Sequence, residues 1–193
     1  MRSMKRTILI LLAAVMMLAA FSGCSKEEIH GNTPGSGSTE TETLDLSSFT
    51  ASDLGGKAVS GEIFKTHRLN MINIWATFCG PCIREMPDLQ ALSEEHAEDL
   101  QIIGIILDIT DRNYNIVLDI KQEALKIIEQ TGVRYDHLIP SKSLNSLLLS
   151  DVQAVPVTVF VDREGRMVGS AYAGSRSKKD WETIITKLLE EVR

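Results

Sequence analysis

Apolar and polar positions change their spacing several times along the chain. Near the N-terminus, Arg2, Lys5 and Arg6 precede an unbroken apolar run from Ile8 to Ala20. A mature membrane-spanning helix needs about 20 such residues. A basic flank before a shorter apolar run is the layout of an export signal. Residues 25–43 are instead rich in Ser, Thr, Gly and Glu, bury little, and are predicted to stay disordered. A flexible tether of about 20 residues reaches about 25 Å root-mean-square.

Globular patterning begins near Leu44. Phe49 to Val59 reads as two short strands turning at Gly55-Gly56. Leu69 to Ala76 is an apolar strand patterned for burial on both faces, and a helical stretch follows to about Glu98. Ile102 to Leu107 is a second buried strand. Helices are predicted over Val117 to Gln130, stopping near Gly132, and over Ser143 to Ser150. Tyr135 to Ile139 is a short strand between them. Val157 to Val161 and Arg166 to Ala173 form a hairpin, and Lys178 to Val192 a closing amphipathic helix. Strands alternating with helices predict an α/β sheet with parallel strands, to which the last hairpin adds antiparallel ones.

Composition narrows the function. With 193 residues and 44% apolar residues, the chain fits one domain with appendages and a real core. The net charge is −6, which argues against nucleic-acid binding, and removing the N-terminal signal makes the remainder more acidic. Attachment to a membrane must then come from acyl chains rather than charge. The four histidines, His30, His67, His96 and His137, show no ligand spacing and read as surface residues.

The chemistry lies in Trp75-Ala76-Thr77-Phe78-Cys79-Gly80-Pro81-Cys82. A buried strand leads into this segment and a helix leaves it. A helix N-terminus offers unpaired N–H groups and the positive end of the macrodipole, which favour a thiolate, the nucleophilic form. Pro81 fits the first turn, where its missing N–H costs nothing. Cys79 is expected at the exposed tip as the attacking thiol, and Cys82 one turn inside as the resolving one. A structural bridge and half of a metal site compete with this reading. A bridge closing so short a loop stabilises little, and there is no second cysteine pair.

Two resemblances extend the argument. Leu18-Ala19-Ala20-Phe21-Ser22-Gly23-Cys24 resembles the lipobox of bacterial lipoproteins, with Phe21 where Leu is usual. It implies a signal over residues 1–23, lipidation of Cys24, and a linker over residues 24–43. Met71 to Trp75, Cys79 to Cys82, Arg84-Glu85-Met86-Pro87, Val155-Pro156 and the Val159-to-Val168 hairpin resemble the TlpA/ResA family of membrane-anchored thiol–disulfide oxidoreductases. That resemblance implies a thioredoxin-like fold over residues 44–193: a mixed central sheet flanked by helices, with an N-terminal β-hairpin extension. It further implies a disulfide reductase for exported proteins in cytochrome c maturation or repair, recharged by a membrane carrier of the CcdA/DsbD type, without a cofactor.

The resemblance also assigns roles. Pro156 is implied to be cis and beside the cysteines, exposing the backbone of Val155 to substrate. Gly80, Pro81, Val155 and Pro156 form the expected substrate surface, Trp75 is read first as core packing beside the motif with a secondary part in shaping that surface, and Pro87 is expected to kink its helix. Asn73 stands where thioredoxins carry a buried acid, and an amide cannot move protons. Glu85, three residues after Cys82 and on the same helix face, is the candidate acid–base group, expected to be partly buried with its pKa raised. Phe78 replaces the usual tryptophan, and Val157 a small or hydroxylated residue. The dipeptide Gly80-Pro81 favours a reducing role. A disulfide-forming oxidase and a non-catalytic copper- or haem-binding lipoprotein are the alternatives.

Overall fold

The computed structural model describes residues 44–192. The expected signal, Cys24 and the linker lie outside the described residues. Seven strands are present: β1 (Thr50–Asp53), β2 (Ala58–Ser60), β3 (Leu69–Trp75), β4 (Leu100–Ile106), β5 (Asp136–Ile139), β6 (Val157–Val161) and β7 (Met167–Ala173). The helices are α1 (Gly80–Glu95), α2 (Leu118–Thr131), α3 (Lys142–Leu147) and α4 (Lys178–Glu191). One sheet joins the strands in the order β2-β1-β5-β4-β3-β6-β7. β3, β4 and β5 run parallel, while β6 and β7 on one side and β1 and β2 on the other add antiparallel pairs. The mixed sheet with an N-terminal hairpin is the architecture expected from the sequence.

Every residue of β3 is buried because layers cover both of its faces. Ile72 and Ile74 point into a cluster with Phe49, Phe64 and Leu144. Leu69 and Met71 point the other way, against Leu89 of α1 and Trp181 and Ile185 of α4. Further along the same face, Trp75 packs with Cys82, Met86 and residues of α2. α2 stops where Gly132 adopts a left-handed φ of 70°, and its N–H reaches back to the carbonyls of Ile128 and Glu129.

Two features depart from the sequence reading. A 3₁₀ segment, Gly61–Thr66, precedes β3 and buries Phe64. Gly61 is required there, because an added Cβ would lie 2.1 Å from the Ser47 carbonyl oxygen. Helix α1 ends at Glu95 rather than near Glu98, since the His96 carbonyl accepts the N–H groups of Asp99 and Leu100 in a turn into β4. Pro87 lies inside α1, which continues past it.

Topology positions the site. Because β6 runs antiparallel to β3, the segment entering β6 meets the segment leaving β3. Val155-Pro156 and Cys79–Cys82 are thereby brought to one end of the sheet.

Candidate functional site

Cys79 caps the N-terminus of α1, and its sulfur accepts the Cys82 N–H at 3.2 Å. The two cysteines are joined as a disulfide, with Cα atoms 5.3 Å apart. The turn before them is held from two sides. The Cys79 N–H bonds the Ala76 carbonyl at 3.0 Å. Asp108, in the turn that follows β4, accepts the Thr77 N–H at 3.1 Å and the Thr77 hydroxyl at 2.5 Å.

The exposed tip of the motif is Phe78, not Cys79. Phe78 is 76% exposed, Cys79 5% and Cys82 fully buried. Cys79 instead lies on the wall of an open cleft of about 370 Å³, with Phe78, Pro81, Leu107, Val152 and Val155. The order of access expected for the two sulfurs is kept, but the outer one is reached through an apolar groove. A polar groove lined by Arg68, Asp162, Arg163 and Glu191 lies at the other end of β3 and gathers charges of both signs.

The Val155–Pro156 peptide bond is cis, and Pro156 is buried. The Pro156 carbonyl accepts the Gly174 N–H at 2.9 Å. Among the described residues, the backbone N–H and carbonyl of half-buried Val155 have no partner. Gly80 joins Pro81 in lining the cleft.

Trp75 has no accessible surface and packs in the core beneath the motif, as its main reading expected, so it forms no part of the exposed substrate surface. Burial satisfies its indole from inside: Nε1–H donates to Nδ1 of His137 at 3.2 Å. His137, expected at the surface, is 5% exposed, and burial pushes its imidazole down to about 4. Its alternation in a four-residue strand reads equally well on either face, so the sequence carried no signal for it.

Glu85 is buried, and three donors hold its carboxyl. Asn73 Nδ2 donates to Oε1 at 3.2 Å, and Arg176 N–H and Trp181 Nε1–H donate to Oε2 at 3.1 and 3.3 Å. Burial raises its pKa above the ordinary glutamate value, and it outweighs the three donors and the nearby Arg176 charge. The Arg176 guanidinium lies 5.1 Å from the ring centroids of both Tyr172 and Trp181. Arg176 and Trp181 were invisible as partners in the sequence, about 90 residues from Glu85.

A helix opened by two cysteines, set against a cis-proline loop at one end of a mixed sheet, defines a dithiol protein of the thioredoxin-like fold. The chain belongs to the Redoxin family, whose model matches residues 40–185. It is of the thiol–disulfide oxidoreductase type to which its relatives' names refer. It is 32% identical over 131 residues to the thiol-disulfide oxidoreductase ResA of Oceanobacillus iheyensis, covering 66% of this chain and 55% of that protein. It is 27% identical over 196 residues to the thiol:disulfide interchange protein DsbE of Vibrio cholerae, covering 97% and 96%. Among solved structures, a DsbF homologue from Corynebacterium diphtheriae shares the fold at a TM-score of 0.60 and 22% identity, covering 83% of this chain and 99% of that one.

Proposed function

We propose that this protein is a lipid-anchored, extracytoplasmic reductase of disulfides in exported proteins. The observation that carries the reading is the Cys79 sulfur, placed in an apolar cleft and capping α1 through the Cys82 N–H. Once reduced, Cys79 receives the same N–H and the positive end of the helix, which favour its thiolate.

The thiolate attacks one sulfur of a substrate disulfide. That S–S bond breaks, an enzyme–substrate disulfide forms, and the departing substrate sulfur takes up a proton. Cys82 then gives up its proton and attacks the Cys79 sulfur. The second substrate thiol leaves, and the enzyme keeps the disulfide. Glu85, buried three residues beyond Cys82, is the proposed proton acceptor. The free backbone groups of Val155 suit strand-like pairing with an extended substrate segment, and Phe78, Gly80, Pro81 and Pro156 complete the surface. Two electrons pass to the substrate in each cycle, and a membrane carrier of the CcdA/DsbD type returns them. Anchorage through Cys24, with residues 24–43 as tether, keeps the domain near that carrier. The names of ResA and DsbE support the chemistry, and cytochrome c maturation or repair of exported proteins is the proposed setting.

The test is trapping. Cys82→Ser should retain substrates as mixed disulfides on Cys79, identifiable by mass spectrometry, while Cys79→Ser retains none. The same blank from both variants overturns the enzyme reading. Equilibration of the cysteine pair with glutathione fixes the direction: a poise near the thioredoxin end of the range, about −270 mV, fits a reductase, and one near −120 mV an oxidase.

A further inference from the structure

Beneath the motif, four adjacent strands present opposed residues on one face: Thr158 of β6, Asn73 of β3, Gly104 of β4 and His137 of β5. A buried polar row is costly unless its members bond to something. One half of this row does so through Asn73, whose amide donates to Thr158 Oγ1 at 3.1 Å as well as to Glu85. The other half is built around His137.

The imidazole lies over Gly104, where an added Cβ would come within 2.2 Å of Nδ1. The missing side chain on β4 is what lets the ring reach across toward β3. There Nδ1 meets the Trp75 indole, with the two rings edge-on and their centroids 5.6 Å apart. An indole nitrogen only donates, so the bond requires Nδ1 to be unprotonated. Burial keeps the ring neutral at neutral pH, and the indole bond selects the tautomer with its proton on Nε2. The titratable groups nearby are Tyr135, just before β5 with its ring 5.0 Å away, and Glu85 on α1, whose charge acts on Tyr135. Tyr135 is held as the phenol by burial.

Trp75 is the last residue of β3 and leads directly into the motif. Its carbonyl accepts the Leu107 N–H at 2.8 Å, and the next carbonyl, that of Ala76, accepts the Cys79 N–H. Fixing the indole therefore fixes the base of the loop that presents Cys79.

We infer that His137 is a positioning residue for the exchange reaction: its Nδ1, accepting the Trp75 indole N–H across the gap at Gly104, holds the end of β3 so that the Cys79 sulfur stays against the N-terminus of α1. The inference rests on the proposed role of Cys79 as the attacking thiolate. It adds that this thiolate depends on an acceptor at position 137, on a strand that carries none of the expected site residues.

The experiment measures the pH profile of Cys79 alkylation in the reduced full-length chain. His137→Leu fills the space without an acceptor and should raise the apparent pKa of Cys79, slowing alkylation at pH 6 about tenfold. His137→Gln keeps an acceptor oxygen and should stay within about twofold of the parent rate. Trp75→Phe removes the donor and should match His137→Leu, and combining the two should add no further slowing. If His137→Leu fails to fold, His137→Gln and Trp75→Phe carry the comparison. A parent-like profile in Trp75→Phe and His137→Leu, or equal slowing in His137→Gln and His137→Leu, overturns the inference. A parent Cys79 no more reactive than a free cysteine overturns the proposed function itself, which keeps the two failures apart. General destabilisation lowers the melting temperature without moving this profile.

Discussion

At Glu85, burial favours the neutral acid while the Asn73, Trp181 and Arg176 donors favour the carboxylate, and burial prevails. A pKa raised on folding contributes stability that is full below the unfolded value, near 4.5, and lost as pH rises through the folded value. The stability difference between the parent and Glu85→Gln in urea unfolding should therefore shift against the parent as pH rises above 4.5. If Glu85 also accepts the Cys82 proton, the same variant shifts the pH dependence of mixed-disulfide resolution. His137 behaves in the opposite sense. Its pKa falls on folding from 6.5 to about 4, so its contribution is whole above pH 6.5 and lost as pH falls toward 4. That loss is up to about 3 kcal/mol for a group so buried. His137→Gln should remove this contribution, and identical pH slopes for the parent and His137→Gln between pH 6.5 and 4 contradict the account. The burial of Glu85 and the rise in its pKa were legible in advance, whereas the environment of His137 was not. Glu85 could be placed on the face of Cys82 from helical spacing, but its donors arrive from distant segments. The burial of His137 depends on the β4–β5 register that sets it opposite Gly104.

Among the elements, the junction of β3 and α1 carries the site, and it was the most legible part of the chain. A strand patterned for burial on both faces, a three-residue turn and then Cys-Gly-Pro-Cys mark the strand, the turn and the helix start. What the sequence did not reveal is how the turn is braced. Asp108 receives the backbone and the hydroxyl of Thr77 from the turn just past the neighbouring parallel strand. Nothing local marks Asp108 out, because the contact exists only once β3 and β4 are side by side. Hydrogen bonds to a charged group contribute about 1.5–3 kcal/mol each in favourable settings, and this site is only partly buried. Asp108→Ala should cost about 2 kcal/mol in urea unfolding. Asp108→Asn, which keeps one carbonyl acceptor, should cost less. Equal losses from both variants assign the bracing to charge rather than to hydrogen bonds.

On the scale of the whole molecule, the antiparallel docking of β6 on β3 puts two chain segments far apart in sequence beside one sulfur. The resulting groove is lined by Leu107, Val152 and Val155, and Phe78 projects from its edge. An aromatic ring left 76% exposed contributes little to the fold, so its loss should change stability by less than about 0.5 kcal/mol. It does offer a large apolar contact to an extended chain lying in the groove, and it lacks the N–H of the tryptophan usual at that position. A small disulfide reagent reaches Cys79 without spanning the groove, whereas a polypeptide disulfide must lie along it. Phe78→Ser should therefore lower kcat/KM for a protein disulfide several-fold, consistent with the loss of about 1 kcal/mol of apolar contact. It should leave the reduction of a small aliphatic disulfide nearly unchanged. Equal losses on both substrates mean that Phe78 acts on the reactivity of Cys79 itself, and the groove then has no part in choosing the substrate.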